Sequence, residues 1–515
     1  VATITRSQAK VAAESGVGTR VAVGVALGLL TAGMLVLAFP PYNVWPLAFF
    51  CLVPMLVAQY RVLPLRWTVL APIAGTDLWV LYFVTLLFGF RAETFFIQLV
   101  PVLVALLDVF TVKGTRQFHE RTAYRWFVLS GSVQWVGFEM IRSFIPLVRM
   151  HGYIGHTLHT QPWLIQPVSI FGVYGLSLLV VFVNYALAQG AFALLDRRWR
   201  WEDVPVVGKR LARGWLAGVG VALAAWIALS LAILSTAPAD AATVRVASVQ
   251  HGFLKAAHVD RDTPQEVRLA GLVEQTRAAA AQGAQLVVWP ELGIAFDPQV
   301  EHTDELRALA AETDTHIVIG YGLSSEVEFR NAAVVLTPQG QFLEIYGKSH
   351  PSPGERRDPA AGAYPIYDTV LGRFAAIICH DANFTDSSRI VAGKGAQLLA
   401  ISTLETYVPG LEKVFYVQTL FRALENRIAT VKADVAYSSA IVDPYGRILA
   451  RRSGAPAGEA FALVADVPLG SPNTLYTRFG DWVGWVALAG FVFFMFYPDV
   501  LKRRQRKREA AQEAG

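Results

Sequence analysis

Apolar positions divide the chain into two kinds of text. Runs long enough to cross about 30 Å of hydrocarbon, roughly twenty residues each, lie near residues 20 to 39, 45 to 60, 67 to 90, 95 to 112, 126 to 147, 163 to 195, 214 to 237 and 479 to 499. They predict eight membrane-spanning helices, seven in a block over 20–237 and the eighth at 479–499. Between these, over 243–468, short β-branched runs alternate with amphipathic stretches, the pattern of an α/β domain. Strands are predicted at Val244 to Gln250, Gln285 to Pro290, His316 to Tyr321, Asn331 to Leu336, Arg373 to Cys379, Gln397 to Ser402 and Ala436 to Val442. One helix is predicted over Thr263 to Gln282, with Val267, Leu269, Leu272, Val273 and Thr276 on one face and Thr263-Pro264 opening it. A second is predicted over Glu412 to Arg427.

Composition agrees with the apolar runs. Only 17% of residues are charged and 54% are hydrophobic, whereas about a quarter of an ordinary soluble protein is charged. The first run is not read as a cleaved signal peptide, because it ends in Phe39-Pro40-Pro41 and another span follows at once. The formal charge of +5 does not point to nucleic acid, since the basic residues stand in short blocks beside apolar segments, as topology signals do.

Those blocks set an orientation. Arg6, Lys10 and Arg20 precede the first span, Arg61 and Arg66 follow the second, and Lys113, Arg116, Arg121 and Arg125 follow the fourth. Arg197, Arg198, Arg200, Lys209, Arg210 and Arg213 separate the sixth and seventh. The intervening loops carry little beyond Arg91, Arg142 and Arg149. Positive charge stays on the cytoplasmic side, so the segment 1–19 and the basic tail 500–515 are expected in the cytoplasm and 243–468 outside it. No nucleotide pool exists there, no phosphate-binding glycine motif occurs, and no cofactor is expected. Cys51 and Cys379 lie in regions that should not meet, so neither is expected in a disulfide.

Three polar residues end apolar strands or the turns after them: Glu291 after Gln-Leu-Val-Val-Trp-Pro, Lys348, and Cys379 after Arg-Phe-Ala-Ala-Ile-Ile. Sites in α/β folds gather at carboxyl ends of strands, so the three could converge. Together they suit acyl transfer. Glu291 would take the thiol proton and return it to the leaving group, Cys379 would attack, and Lys348 with the His380 amide would hold the oxyanion. A Cys379–His380 dyad is disfavoured because neighbours on a strand project to opposite faces; His380 is expected to pack or line the pocket. His350, His380 and Asp381 match no recurrent zinc spacing, and no metal is expected. Glu139 and Arg142, one turn apart near the end of the fifth span, are either functional or paired with each other. The Pro-Gly loop 403–411 is a candidate lid or a plain connection.

Val288-Trp289-Pro290-Glu291, Lys348 with Pro353-Gly354-Glu355, and Ile378-Cys379-His380-Asp381 resemble the three catalytic signatures of the nitrilase, or carbon-nitrogen hydrolase, superfamily, and Arg422-Ala423-Leu424-Glu425-Asn426 resembles one of its helices. Joined to the apolar half, with Phe39-Pro40-Pro41-Tyr42, Trp45-Pro46-Leu47, Glu139-x-x-Arg142, Gly152-Tyr153 and Gly172-Val173-Tyr174-Gly175, the chain resembles the apolipoprotein N-acyltransferase family. The resemblance implies an αββα sandwich beside eight spans in a bacterial inner membrane. It also implies a phospholipid acyl donor, a Cys379 thioester and a diacylglyceryl apolipoprotein acceptor, in a protein expected to act as a monomer. Glu355 would position Lys348 or the acceptor amine, or cap its loop. His380 and Asp381 stand where the family usually has an aromatic residue and a glutamate, and the loop His350-Pro-Ser-Pro-Gly-Glu355 is shorter than usual. A membrane-tethered amidase using the same triad, and a catalytically inactive lipoprotein-binding protein, are the alternatives.

Overall fold

A computed structural model describes residues 6–88, 97–145, 150–198, 204–238, 240–252, 254–255, 258–259, 263–324, 329–405, 416–435, 438–452 and 458–513. Arg91 and Arg149, both used in the orientation argument, and 406–411 of the candidate lid lie outside these residues.

Among the described residues, five stretches are helical, long and apolar enough to cross a bilayer: Gly16–Ala38, Trp45–Val62, Leu70–Leu87, Val168–Arg198 and Lys209–Ser235. Trp482–Pro498 is a shorter apolar helix, and the expected segments at 95 to 112 and 126 to 147 fall on the helices Leu99–Arg121 and Phe127–Arg142. The second and third expected spans are not single α-helices. Proline lacks the amide that continues the ladder, and around Pro46, Pro54 and Pro72 the chain breaks into 3-10, α and π turns. Asn184 mends one of these breaks. Its Nδ2 donates to the Ala48 carbonyl at 2.7 Å and its Oδ1 accepts from the Leu52 amide at 2.8 Å, satisfying backbone groups that lipid would not.

The buried Arg61 ties the second stretch to the helix Val168–Arg198. Its guanidinium donates to both carboxylate oxygens of Asp196, at 2.7 and 3.0 Å, and to the Tyr124 hydroxyl at 2.7 Å. It also lies 4.5 Å from the Phe192 ring centroid. The bidentate geometry makes this a strong charged hydrogen bond.

The α/β part is built on two six-stranded sheets. In chain order the strands are β1 (Thr243–Gln250), β2 (Leu286–Val288), β3 (His316–Ser324), β4 (Phe329–Leu336), β5 (Tyr346–Gly347), β6 (Tyr367–Thr369), β7 (Gly372–Ile378), β8 (Leu398–Thr403), β9 (Ala429–Asp434), β10 (Ser439–Val442), β11 (Ile448–Arg452) and β12 (Phe461–Pro468). The first sheet runs β12-β1-β2-β3-β4-β5 and the second β11-β10-β9-β8-β7-β6. Its three central strands are parallel in each sheet, β1-β2-β3 and β7-β8-β9. Side-chain alternation sends Val246, Leu286, Val288 and Val318 to the interior shared with Phe374, Leu398 and Val431 of the second sheet. It sends Val287, Ile317 and Ile319 outward, against Leu269 and Leu272 of the helix Gln265–Ala281 and Leu309 of the helix Thr303–Thr313. The helices Thr385–Gly393 and Tyr416–Asn426 cover the second sheet.

Every residue of the helix Tyr416–Asn426 is buried. One side packs on the second sheet, and the other docks on the apolar helices. Tyr416 Oη lies 2.9 Å from His159 Nε2, Gln418 Nε2 lies 3.0 Å from His151 Nδ1, and Glu425 Oε1 accepts from the Val173 amide at 3.4 Å. Residues 412–415 of the helix predicted over Glu412 to Arg427 lie outside the described residues.

The helix predicted over Thr263 to Gln282 spans Gln265–Ala281, with Pro264 rather than Thr263 at its N-cap. Leu269, Leu272, Val273 and Thr276 are buried as expected, whereas Val267 is exposed. The strand predicted to end on Cys379 stops at Ile378. β5, β6, β9, β11 and β12 were not among the predicted strands. Lys432 and Asp434 interrupt the apolar alternation of β9, and only Arg427 and Ile428 separate it from the preceding helix.

Breaking a buried ion pair by removing one partner costs about 3–5 kcal/mol, while replacing both partners by apolar groups costs far less. Arg61→Met is therefore expected to lower the thermal midpoint in detergent, and the Arg61→Met/Asp196→Leu double variant to recover most of the loss. A double variant as unstable as the single would refute this account of the pair.

Candidate active site

Each member of the expected triad is delivered by a local feature of the backbone. β2 ends at Val288, and Trp289-Pro290 turns the chain so that Glu291 reaches the end of the sheet. Trp289 Nε1 donates to Thr276 Oγ1 at 2.9 Å, and its carbonyl accepts from Ser402 Oγ at 2.8 Å, which pins this turn to β8 of the other sheet. β3 passes close to the turn because residue 320 is glycine: a Cβ there would stand 2.3 Å from the Pro290 carbonyl oxygen. Lys348 follows β5, and its amide donates to the Asn331 carbonyl at 2.9 Å, so the lysine leaves the sheet beside Asn331.

Cys379 opens a 3-10 turn, Cys379–Asn383, with φ +44°. A non-glycine residue there is strained, and the surrounding bonds hold it. The buried Asp381 carboxylate accepts from the Ile378 amide at 3.1 Å, the Tyr346 hydroxyl at 2.7 Å and the His350 amide at 2.7 Å. It therefore braces the Cys379 turn to the loop that follows Lys348. His350 reinforces the brace, with Nδ1 3.0 Å from Asp381, Nε2 3.3 Å from Asp386 and its ring stacked at 3.6 Å on Phe384. Burial opposes a charge on His350, but the two carboxylates prevail and hold its pKa at about 9.

Glu291, Lys348 and Glu355 converge. Lys348 Nζ donates to Glu291 Oε1 at 2.9 Å and to Glu355 Oε2 at 2.8 Å. Asn331 Nδ2 donates to the same Glu291 Oε1 at 2.8 Å and to the other Glu355 oxygen, Oε1, at 2.6 Å. Glu291 Oε2 accepts from the Leu404 amide at 2.9 Å, and the carbonyl of that same residue lies 4.0 Å from Cys379 Sγ. One peptide thus touches both the carboxylate and the thiol. Burial works against the Lys348 charge, yet Glu291, the Cys379 sulfur and Glu355 outweigh it, and its pKa is raised. Burial likewise opposes ionisation of Glu355, but Lys348 and the Ser352 and Asn331 hydrogen bonds hold it below the usual carboxylate range. For Cys379, burial and then the Glu291 carboxylate push the thiol well above its ordinary value, with Lys348 offsetting only part. The resting group is a neutral thiol.

A cavity of about 130 Å³ opens at Cys379, lined also by His380, Glu405, Gln418, Thr419 and Lys432. His380 lines it as expected, with Nδ1 3.2 Å from the His350 carbonyl oxygen. The strand-alternation argument for its direction does not apply, because Cys379 and His380 both lie in the 3-10 turn. Glu139 and Arg142 are not among the cavity's lining residues. Glu139 Oε1 accepts from the Ile154 amide at 2.9 Å and Trp135 Nε1 at 3.2 Å, and Arg142 reaches the Gly152 carbonyl at 3.4 Å. Both order the loop beneath the docked helix. Asn331, Gln418 and Lys432 were not singled out from sequence, and Leu404 and Glu405 only as part of the candidate lid; Lys432 and Asp434 within a β-branched run were the available signal.

Two family models match the chain: the apolipoprotein N-acyltransferase N-terminal domain over residues 31–186 and carbon-nitrogen hydrolase over residues 245–471. An apolipoprotein N-acyltransferase of Geobacter metallireducens is 27% identical over 90% of this chain and 93% of its own length. The chain belongs to the apolipoprotein N-acyltransferase family. It is an acyltransferase and a bacterial membrane protein, with an N-terminal region of apolar helices and a nitrilase-like domain of two sheets. A nitrilase of Pyrococcus abyssi is 32% identical over 31% of this chain and 64% of its own. Among solved structures, an amidase from Nesterenkonia sp. is 24% identical, with a TM-score of 0.36 over 44% of this chain and 90% of that one.

His350 titrates in a window that solution measurements reach. Its pKa is raised above the ordinary value of about 6.5, so its stabilisation is fully present below about pH 6.5 and is lost as pH rises through about 9. His350→Gln is expected to lower the thermal midpoint at pH 6 and to leave it unchanged at pH 10. A deficit of equal size at both values would show that the charged clamp is not the source.

Proposed function

We propose that this acyltransferase moves a fatty acyl chain from a phospholipid, through a thioester on Cys379, to the α-amine of the N-terminal cysteine of a diacylglyceryl apolipoprotein. The observation that carries the reading is the position of the nucleophile. The Cys379 cavity is walled by Gln418 and Thr419 of the helix that docks on the apolar helices, so the thiol sits where the soluble domain meets the membrane half. Donor and acceptor are both confined to the bilayer, and a site held at its surface meets them at high local concentration. The loop charges favour reading that surface as extracytoplasmic, in an arrangement of eight spans with both termini in the cytoplasm.

In the first half-reaction the Cys379 S–H gives its proton to Glu291 as sulfur attacks the ester carbonyl. The oxyanion forms toward the Lys348 ammonium and the His380 amide, and one such preorganised donor is worth about 3–4 kcal/mol. When the C–O bond breaks, protonated Glu291 returns its proton to the departing lysophospholipid oxygen. In the second half-reaction the amine attacks the thioester, a C–N bond forms, the C–S bond breaks, and Cys379 recovers its proton. Glu355 and Asn331 act as positioning residues, holding Lys348 and Glu291 in register.

Incubated with acyl-labelled phospholipid, the purified protein is expected to carry label on Cys379 and to pass it to a diacylglyceryl peptide. Cys379→Ala should abolish both steps, and Glu291→Gln should slow labelling by about 10²- to 10⁴-fold. Label recovered only as free fatty acid would favour a membrane-tethered hydrolase and overturn the transferase reading. Survival of lipoprotein acylation in cells carrying only the Cys379→Ala form would favour a binding role.

A further inference from the structure

Glu405 and Gln418 line the cavity that holds Cys379, and the triad chemistry uses neither. Glu405 follows β8. Its amide donates to Asp434 Oδ1 at 3.0 Å, and its Oε2 accepts from Lys432 Nζ at 2.6 Å, while Lys432 is fixed in turn by the Ser438 carbonyl at 3.0 Å. Among the described residues Glu405 Oε1 has no partner. Gln418, buried to 4% exposure, spends its Nε2 on His151 Nδ1 at 3.0 Å, and its Oε1 has no hydrogen-bond partner. Burial, then the nearby His380 and Arg142, hold His151 down at about 4. Its ring is therefore neutral, and Nδ1 accepts from the amide. A buried acceptor left open costs roughly 1–3 kcal/mol unless a ligand fills it.

The charges around this wall favour a cation. Lys432 faces Glu405 and Asp434 from β9, and beyond the thiol Lys348 faces Glu291 and Glu355. Each cluster carries one more carboxyl group than ammonium. Glu291 is already committed, with Oε1 accepting from Lys348 and Asn331 and Oε2 from Leu404.

We infer that Glu405 and Gln418 form a primary-ammonium site in the Cys379 cavity, where the acceptor's α-ammonium docks on Glu405 Oε1 and Gln418 Oε1 and gives a proton to Glu405 before attacking the thioester. The inference deepens the acyltransfer reading and rests on it. The step balances: ammonium and carboxylate become amine and carboxylic acid. The neutral amine forms the C–N bond as the C–S bond breaks, its second proton passes by way of Glu291 to the sulfur, and Glu405 releases its own to solvent with the product. Burial raises Glu405 to about 8, against Lys432 and with Asp434 and Glu291 adding to the shift. An α-amine titrates at about 7.7–8.0, so donor and base are matched, the condition under which general-base transfer is efficient.

The two half-reactions separate the possibilities. The full-length protein in detergent is charged with acyl-labelled phospholipid, label on Cys379 is measured, and a diacylglyceryl peptide is added at pH 7 and pH 9. Glu405→Gln is expected to change labelling of Cys379 by less than twofold and to slow transfer at pH 7 by more than tenfold. Transfer should recover most of its rate at pH 9, where the peptide amine is already neutral; Gln418→Leu should raise the peptide KM, and Glu405→Asp should restore part of the pH 7 rate. Unchanged transfer at pH 7, a deficit that persists at pH 9, or an equal loss of labelling and transfer would each overturn the ammonium site. Failure of the wild-type protein to pass label to any peptide would instead sink the acyltransfer reading itself.

Discussion

A buried ammonium between two carboxylates is the constraint on which the site depends. Taken singly, each of the three charges would cost several kcal/mol to remove from water. Here the ammonium donates to both carboxylates at 2.8–2.9 Å. That needs the end of β2, the exit of β5 and the loop to Glu355 to meet at one point. Asn331 on β4 closes the gap, because its amide donates to both carboxylates and so lets two like charges share a lysine. Most of the surrounding architecture follows from this: a glycine at 320 so that the Pro290 carbonyl can pass, and an Asp381 brace that fixes the lysine loop to the nucleophile turn.

The second constraint is the helix Tyr416–Asn426. A helix buried on all sides must satisfy two partners at once, and here one is a sheet of the catalytic domain and the other a set of apolar helices. Its polar residues serve the membrane-facing side, with His159, His151 and Val173 as partners, while Leu420, Phe421 and Leu424 join the core of that half. The cavity at Cys379 therefore has one wall that cannot move without moving the junction between the halves.

Those constraints explain which features were legible in sequence. The strands carrying the triad were readable because β-branched runs ended on a charged or sulfur-bearing residue, and Glu291, Lys348 and Glu355 do converge. The apolar helices were readable as runs, 45–62 and 70–87 among them, but the proline breaks inside those two stretches were not, since hydropathy is blind to a lost backbone bond such as the one Asn184 mends at Ala48 and Leu52. β9 was missed because Lys432 and Asp434 look like solvent-facing residues until the cavity that Lys432 lines, and the Glu405 amide that Asp434 accepts from, are known. Asn331 was missed for a similar reason: a lone asparagine at the start of an apolar strand reads as a turn residue. The strand argument put His380 on the face opposite Cys379, whereas Cys379 stands in a turn with positive φ and both residues line the cavity.

That turn, and the environment around it, bear on how the thiol works. Many nucleophilic cysteines rest as thiolates because a cation or helix terminus lowers their pKa. Here burial and the Glu291 carboxylate push Cys379 the other way, and Lys348 does not cancel them because it is already engaged by two carboxylates. A neutral resting thiol is less open to oxidation and off-target acylation than a thiolate. In the proposed mechanism the cost is that the proton must leave during attack, to a base already in place. Glu291 would meet that need through the peptide of Leu404, which holds the carboxylate by its amide and stands beside the thiol with its carbonyl. Reactivity would thereby be tied to a bound ester, whose developing oxyanion would make proton transfer to Glu291 favourable.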